Sequence, residues 1–274
     1  MTIGGMPEAV QSFVSALGNG PHSLNDVPSA HALAAARAVQ NRHQHRVRSG
    51  HGQCVQTEDS AKIFEAWRSI PTQLANYHKF QYKAIRSGAR AAQYMPAIDW
   101  LASAGIVNLC TQVTEPVSPL AAFENPTAFK VYMEDTGLLM ARYGATMVQL
   151  NPSDSKTANF RGAVAENFVM QTLVAAGLKP YYWGTPSKGE LEFLLDMPSP
   201  VHQWALPLEV KSGRHVSARS LAAFQTKYSP DYVIRISTKN MGFDRGIRSV
   251  PLYAVQALTE ELATESSEVT GRAH

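Results

Sequence analysis

Glu190-Leu191-Glu192-Phe193-Leu194-Leu195 and Ala205-Leu206-Pro207-Leu208-Glu209-Val210-Lys211 are two apolar runs interrupted by charged residues. Side chains alternate between the two faces of a strand. Glu209 and Lys211 therefore share one face, and Leu208 with Val210 packs the other. Pro198 and Pro200 mark the connection between the runs as a loop. Pairing of the two strands would bring Glu192 beside Glu209. A helix over 160–176, ended by Gly177, precedes them and would carry Glu166 onto the same sheet. Carboxylates offer the oxygen ligands that Mg2+ or Mn2+ prefers. A lysine beside them can position water or stabilise developing charge. Glu166, Glu192 and Glu209 are thus the expected metal ligands, and with Lys211 they form the expected catalytic set.

The spacing by itself is common. Asp154-Ser155-Lys156 repeats the acid-x-lysine pattern in a polar loop. The other reading of Glu209 and Lys211 is a cross-strand ion pair on a solvated face.

Around these strands lie further strand patterns at 129–133, 181–183, 232–237 and 250–255, and a helix at 221–227. Asp135-Thr136-Gly137 caps another short helix. The pattern predicts a mixed sheet flanked by helices, an α/β domain over residues 121–262. Residues 263–274 are polar and are expected to form a flexible tail. The first 120 residues read differently. Ile63, Phe64, Trp67 and Ile70 recur at helical spacing, and Ser69-Ile70-Pro71 is expected to restart a helical turn. Residues 80–92 read as a polar, basic helix, with Lys79, Lys83, Arg86 and Arg90 along it. Residues 94–104 form an apolar helix and 106–114 alternate like a strand. Helices followed by a short strand pair suit a winged-helix-like unit, in which Lys79, Lys83, Arg86 and Arg90 would contact DNA phosphates. Pro116 and Pro126 bound the expected linker.

Composition narrows the classes. The chain of 274 residues is 45% hydrophobic with a net charge of +3, enough apolar content for a real core and only mildly basic. Its two cysteines, Cys54 and Cys110, make neither a disulfide framework nor a metal pair. No apolar run approaches a membrane span, and the expected location is cytoplasmic. Gly184 to Gly189 has glycine spacing near that of a phosphate-binding loop, but Glu190 stands where its lysine must be, so no ATP site is expected. The run Arg37, Arg42, His43, His45, Arg46, Arg48 and His51 reads as a solvated helix face. Zinc binding by the histidines with Cys54 lacks paired spacing.

These segments together resemble a family of prokaryotic AAA-type ATPases, in which a P-loop module precedes a winged helix and a C-terminal domain of unknown function. Gly4-Gly5-Met6-Pro7-Glu8 resembles the family segment after the P-loop module. Ile70-Pro71 with Lys79-Phe80, Trp100-Leu101 and Pro119-Leu120 resemble its middle part. Phe129-Lys130-Val131-Tyr132 with Asp135-Thr136-Gly137-Leu138-Leu139 is the most specific match. Glu166-Asn167-Phe168-Val169, Tyr182-Trp183, Glu190 to Phe193, Glu209 to Gly213 and Pro251-Leu252-Tyr253 complete it. The resemblance implies the PD-(D/E)XK nuclease-like fold for the C-terminal domain and the absence of an ATPase module from this chain. The family usually carries Asp where this chain has Glu192. The expected function is nucleic-acid or partner binding, with metal-dependent phosphodiester hydrolysis by the acidic site. The rival reading is a catalytically inert interaction module that docks on a separate ATPase.

Overall fold

A computed structural model describes residues 5–17, 32–42, 57–76, 79–144, 157–185, 189–197, 205–212 and 219–271. Helices α1 (Pro7–Leu17), α2 (32–42), α3 (Thr57–Asn76) and α4 (Ala91–Ser103) come first, followed by strands and further helices. The chain forms two compact units, each discontinuous in sequence. One collects Met1–Leu74, Gln81–Val107 and Met133–Leu150; the other collects Ala75–Phe80, Asn108–Tyr132 and Asn151–His274.

The first unit is helical. On α3, Ile63, Ala66, Trp67 and Ile70 fall at helical spacing, and all are buried. Tyr94, Ala97, Ile98 and Leu101 of α4 are buried too. Arg142 lies 4.5 Å over the Trp67 ring, and the Tyr94 hydroxyl donates to Glu65. α3 runs unbroken through Pro71, where a new turn was expected. Side chains hold its turns together across the proline. Ser69 Oγ donates to the Ala66 carbonyl at 2.7 Å and accepts from Gln73 Nε2 at 2.9 Å. Helix α5 (Thr136–Tyr143) has the expected cap. The Asp135 carboxylate accepts from the Leu138 amide at 2.7 Å and from the Gly5 amide at 2.5 Å.

The basic helix expected over 80–92 is not formed. Only a 3-10 turn, Tyr82–Ala84, appears before α4 starts at Ala91. Gly88 takes the left-handed region at φ 80°, and the stretch has no apolar stripe to bury. Instead the Gln81 amide donates to Gln73 Oε1 at 2.7 Å, which pins the chain in a turn.

The second unit is built on an eight-stranded mixed sheet. Its strands are β1 (Val107–Val113), β2 (Glu124–Met133), β3 (Pro180–Thr185), β4 (Gly189–Leu195), β5 (Leu206–Lys211), β6 (Val233–Ser237), β7 (Gly242–Asp244) and β8 (Ile247–Pro251). Their order is β2-β1-β3-β4-β5-β6-β8-β7. The strand expected as a wing at 106–114 is β1, and it lies inside this sheet, parallel to β3. The expected linker is fixed to the sheet as well. Asp196 accepts from Ser118 Oγ at 2.5 Å and from the Leu120 amide at 2.8 Å, and Leu120 is fully buried. Helix α6 (Ala158–Ala175) packs against β5 and β3, and α7 (Arg219–Tyr228) against β4. The α7 side holds an apolar cluster of Tyr181, Trp183, Leu191, Leu194, Phe224 and Tyr228. The strand expected over 250–255 ends at Pro251, and helix α8 (Val255–Gly271) follows. Val255, Leu258 and Leu262 anchor it at helical spacing, and it carries the chain as far as Gly271 through most of the expected tail. His43, His45, Arg46, Arg48, His51, Cys54 and the Asp154-Ser155-Lys156 loop lie outside the described residues.

Candidate functional site

Strands β1, β3, β5, β6 and β8 run in one direction, and β4 runs against both its neighbours. The carboxyl end of β5 therefore lies at the same sheet edge as the amino end of β4. Glu209 and Lys211 sit at the first, Glu190 and Glu192 at the second. Ligands of open α/β sheets gather at the carboxyl ends of the strands.

The β4–β5 ladder pairs Phe193 with Leu208 and stops there. One step further, its register sets Glu192 opposite Glu209. The Glu192 side chain takes over from the ladder: its Oε2 accepts from the Val210 amide at 3.2 Å. Its Oε1 accepts from Lys211 Nζ at 2.8 Å, and Lys211 Nζ stands 3.5 Å from Glu209 Oε1. Arg235, paired with Glu209 in the parallel β5–β6 register, brings Nε to 3.8 Å from Glu209 Oε2. Glu209 is fully buried, and neither of its oxygens accepts a hydrogen bond. Burial pushes its carboxyl above the ordinary range, and Glu192 adds to that, against the pull of Lys211 and Arg235. Burial opposes the charge on Lys211, but Glu192 and Glu209 outweigh it and raise its affinity for its proton.

A slip in the β3–β4 pairing aims these side chains. Tyr181 pairs with Leu194 but Trp183 pairs with Leu191, so Glu192 and Phe193 together oppose the single residue Tyr182. Leu191 and Leu194 both join the α7-side cluster. The two residues between them turn to the other face, where the Phe193 ring lies 5.8 Å from that of Tyr132.

On that face lies a residue that the sequence reading quoted only for its resemblance. Lys130 of β2 has a side chain 7% exposed. Its Nζ stands 2.5 Å from Glu190 Oε1, 3.7 Å from Glu166 Oε2 and 5.3 Å over the ring of Tyr182. The Tyr132 hydroxyl donates to Glu166 Oε2 at 3.2 Å. Burial opposes the Lys130 charge, and Tyr132, Glu166 and Glu190 more than reverse it, so the ammonium is held well above its ordinary range. Burial raises Glu166, while Lys130 pulls it down and Glu192 and Glu190 push it up. The buried thiol of Cys110, beside the same group of charges, is also pushed up by burial.

Glu192, Glu209 and Lys211 thus come together, whereas Glu166 is tied to Lys130 and Tyr132. Among the described residues, no three of His, Cys, Asp and Glu converge closely enough to hold a metal ion. Mg2+ sites need only one or two protein carboxylates, with water and substrate phosphate completing the shell. Glu192 and Glu209 are the two carboxylates that could serve: the Glu209 oxygens accept no hydrogen bond, and both Glu192 oxygens face protein donors that a cation would have to displace.

Gly184, opposite Glu190, leaves room for this arrangement. A Cβ there would come 3.1 Å from Glu190 Cγ and 3.3 Å from its Cα. Gly184→Ala should therefore push Glu190 off Lys130 and destabilise the chain by about 1–3 kcal/mol, as overpacking does. Urea unfolding measures this. A loss below about 0.5 kcal/mol, the usual scatter of neutral surface changes, would mean that β4 moves aside freely.

Lys79, Lys83, Arg86 and Arg90, the expected phosphate contacts, are all exposed. Arg86 stands 3.9 Å from Glu65 and 6.0 Å from the centre of the Tyr94 ring. No described helix is long and apolar enough to cross a membrane.

Residues 21–149 match a family model described as Domain of unknown function (DUF8612), and residues 161–255 match one described as Domain of unknown function (DUF4143). No curated protein and no solved structure matches the chain. The second match contains Glu166, Glu190, Glu192, Glu209, Lys211 and Arg235, while Lys130 and Tyr132 fall in the first.

Proposed function

We propose that this chain is a divalent-cation-dependent phosphodiesterase acting on nucleic acid, of the PD-(D/E)XK kind, related to the C-terminal half of AAA-type ATPases. The observation that carries the reading is Glu209. A carboxylate with no exposure and no hydrogen bond, set opposite Glu192 and 3.5 Å from Lys211, is costly to fold unless function retains it. Glu192 and Glu209 hold Mg2+ or Mn2+. The bound cation supplies Lewis acidity toward a phosphoryl oxygen and lowers the pKa of water. Lys211 keeps the two acids together and stands ready to offset charge that grows on the phosphate. Glu192 also anchors the β5 backbone through the Val210 amide, which fixes the direction of the neighbouring Glu209.

The test is cleavage of single-stranded and duplex DNA and RNA by the purified chain with Mn2+ or Mg2+. Metal-dependent cutting that Lys211→Ala abolishes supports the proposal. No cutting of any of these polymers would sink it and leave a protein-interaction module, with a separate ATPase as the partner to try first.

Exposed Lys83 and Arg86 supply phosphate contacts in the same proposal. Replacing both by alanine should weaken polynucleotide binding. It should also reduce the slope of log K against log salt by about 1.4–1.8, since each lost contact is worth about 0.7–0.9. Fluorescence anisotropy across a salt series gives the slope, and an unchanged value would return both residues to the solvated surface.

A further inference from the structure

Lys130 gives the acidic face a cation of its own. Four carboxylates, Glu166, Glu190, Glu192 and Glu209, meet three fixed cations, Lys130, Lys211 and Arg235, within ion-pair distance. The cations are not evenly shared. Lys211 and Arg235 stand within ion-pair distance at the Glu192–Glu209 end, and Lys130 stands within it of Glu166 and Glu190. With all seven groups charged, the cluster carries one negative charge. One divalent cation turns that into one positive charge, which a single phosphodiester monoanion then cancels. Two divalent cations would leave a strongly positive pocket with no acid to offset it.

Geometry agrees with the count. Glu209 is the acid of the cluster whose oxygens accept no hydrogen bond. Glu166 Oε2 receives the Tyr132 hydroxyl and faces Lys130, whereas Glu192, which accepts from the Val210 amide and Lys211, stands next to Glu209 across the β4–β5 register. Lys130 is nearly as buried as its surroundings, and it is fixed from three sides by Glu190, Glu166 and the ring of Tyr182. Cys110 of β1 and Tyr132 also border this end and remain neutral acids there, because burial pushes both groups up.

We propose that the Lys130 ammonium is a resident cation that fills the place of a second metal ion, so that the site takes one divalent cation at Glu192 and Glu209. Glu166 is then a positioning residue, held by Lys130 and Tyr132, and not a metal ligand. This rests on the metal-dependent reading above and states how many ions that site holds.

Mn2+ alone is the probe, titrated into the full chain and followed by calorimetry and by the electron paramagnetic resonance of the free ion. The unaltered chain should bind one Mn2+. Lys130→Arg, which keeps the charge, should also bind one. Glu209→Gln should lower the affinity more than 30-fold, whereas Glu166→Gln should change it less than about threefold, that is by under about 0.7 kcal/mol. Lys130→Met combined with Glu190→Gln removes one charge of each sign, limits the damage to the fold and frees Glu166. That variant should bind two ions. Two ions on the unaltered chain, equal losses in Glu166→Gln and Glu209→Gln, or a single ion on the double variant would each overturn the role of Lys130 while leaving a metal site in place. No ion bound by the unaltered chain would overturn the metal-dependent reading itself.

Discussion

Mn2+ should raise the melting temperature of the chain, and Glu209→Gln should remove that rise. A ligand that binds only the folded state stabilises it by about 2.7 kcal/mol at a hundredfold excess over its Kd. For a folding unit of this size, that corresponds to about 5–10 °C. Glu209 should account for nearly all of it, because its two oxygens accept no hydrogen bond. Glutamine keeps the shape and removes the charge, so the loss reports ligation and not packing. Glu192→Asp restores the residue usual in the family that the chain resembles, and it should keep the rise or enlarge it. Scanning fluorimetry with Mn2+ and with a chelator measures all three proteins. A rise that survives Glu209→Gln would move the ion to another part of the chain.

The largest loss of stability is expected from Lys130→Met. Removing one partner of a buried ion pair leaves an uncompensated charge and costs about 3–5 kcal/mol. Here Glu190, at 2.5 Å, and Glu166, at 3.7 Å, would both lose the Lys130 ammonium. The melting temperature should fall by about 10 °C. Adding Glu190→Gln should restore part of the loss, with a coupling of about 1–3 kcal/mol between the two sites, as expected for residues in contact. Urea unfolding of the four proteins in the cycle gives the coupling. A single variant within about 1 kcal/mol of the unaltered chain would show that the Lys130 ammonium is solvated and not held by these acids.

The acidic strand pair was legible in the sequence because a strand carries its own period. Glu209-Val210-Lys211 had to place its two charges on one face, and the neighbouring acidic run supplied Glu192. The β3–β4 slip was not legible. Strict alternation puts Glu192 and Leu194 on one face, but the slip sends Leu194 to the α7 side with Leu191. Lys130 was passed over as a site residue because it is distant from the acids in sequence. β1 separates its strand from β3, and only the assembled sheet brings it over Tyr182. The wing reading of β1 hid that route by assigning the strand to the helical half. The basic helix failed for a different reason. Residues 80–90 had charge but no buried stripe, and a helix of that length rarely forms on propensity alone.

The direction of β4 bears on the order in which the chain folds. β4 pairs antiparallel with β3 and β5, its neighbours along the chain, so these three strands close short loops. The parallel pairing of β1 with β3 must wait for a crossover that contains α5 and α6. Short loops cost less entropy to close and form sooner. Glu190, Glu192 and Glu209 would therefore meet while Lys211 is the cation at hand, before Lys130 arrives with β2. On that order their mutual repulsion would belong to the folding barrier and be relieved only later, in the native state. Salt screens such repulsion. Refolding followed by stopped-flow fluorescence should speed up as salt rises, and Glu190→Gln should speed it up at low salt; a rate indifferent to both would place the arrival of Lys130 before the barrier.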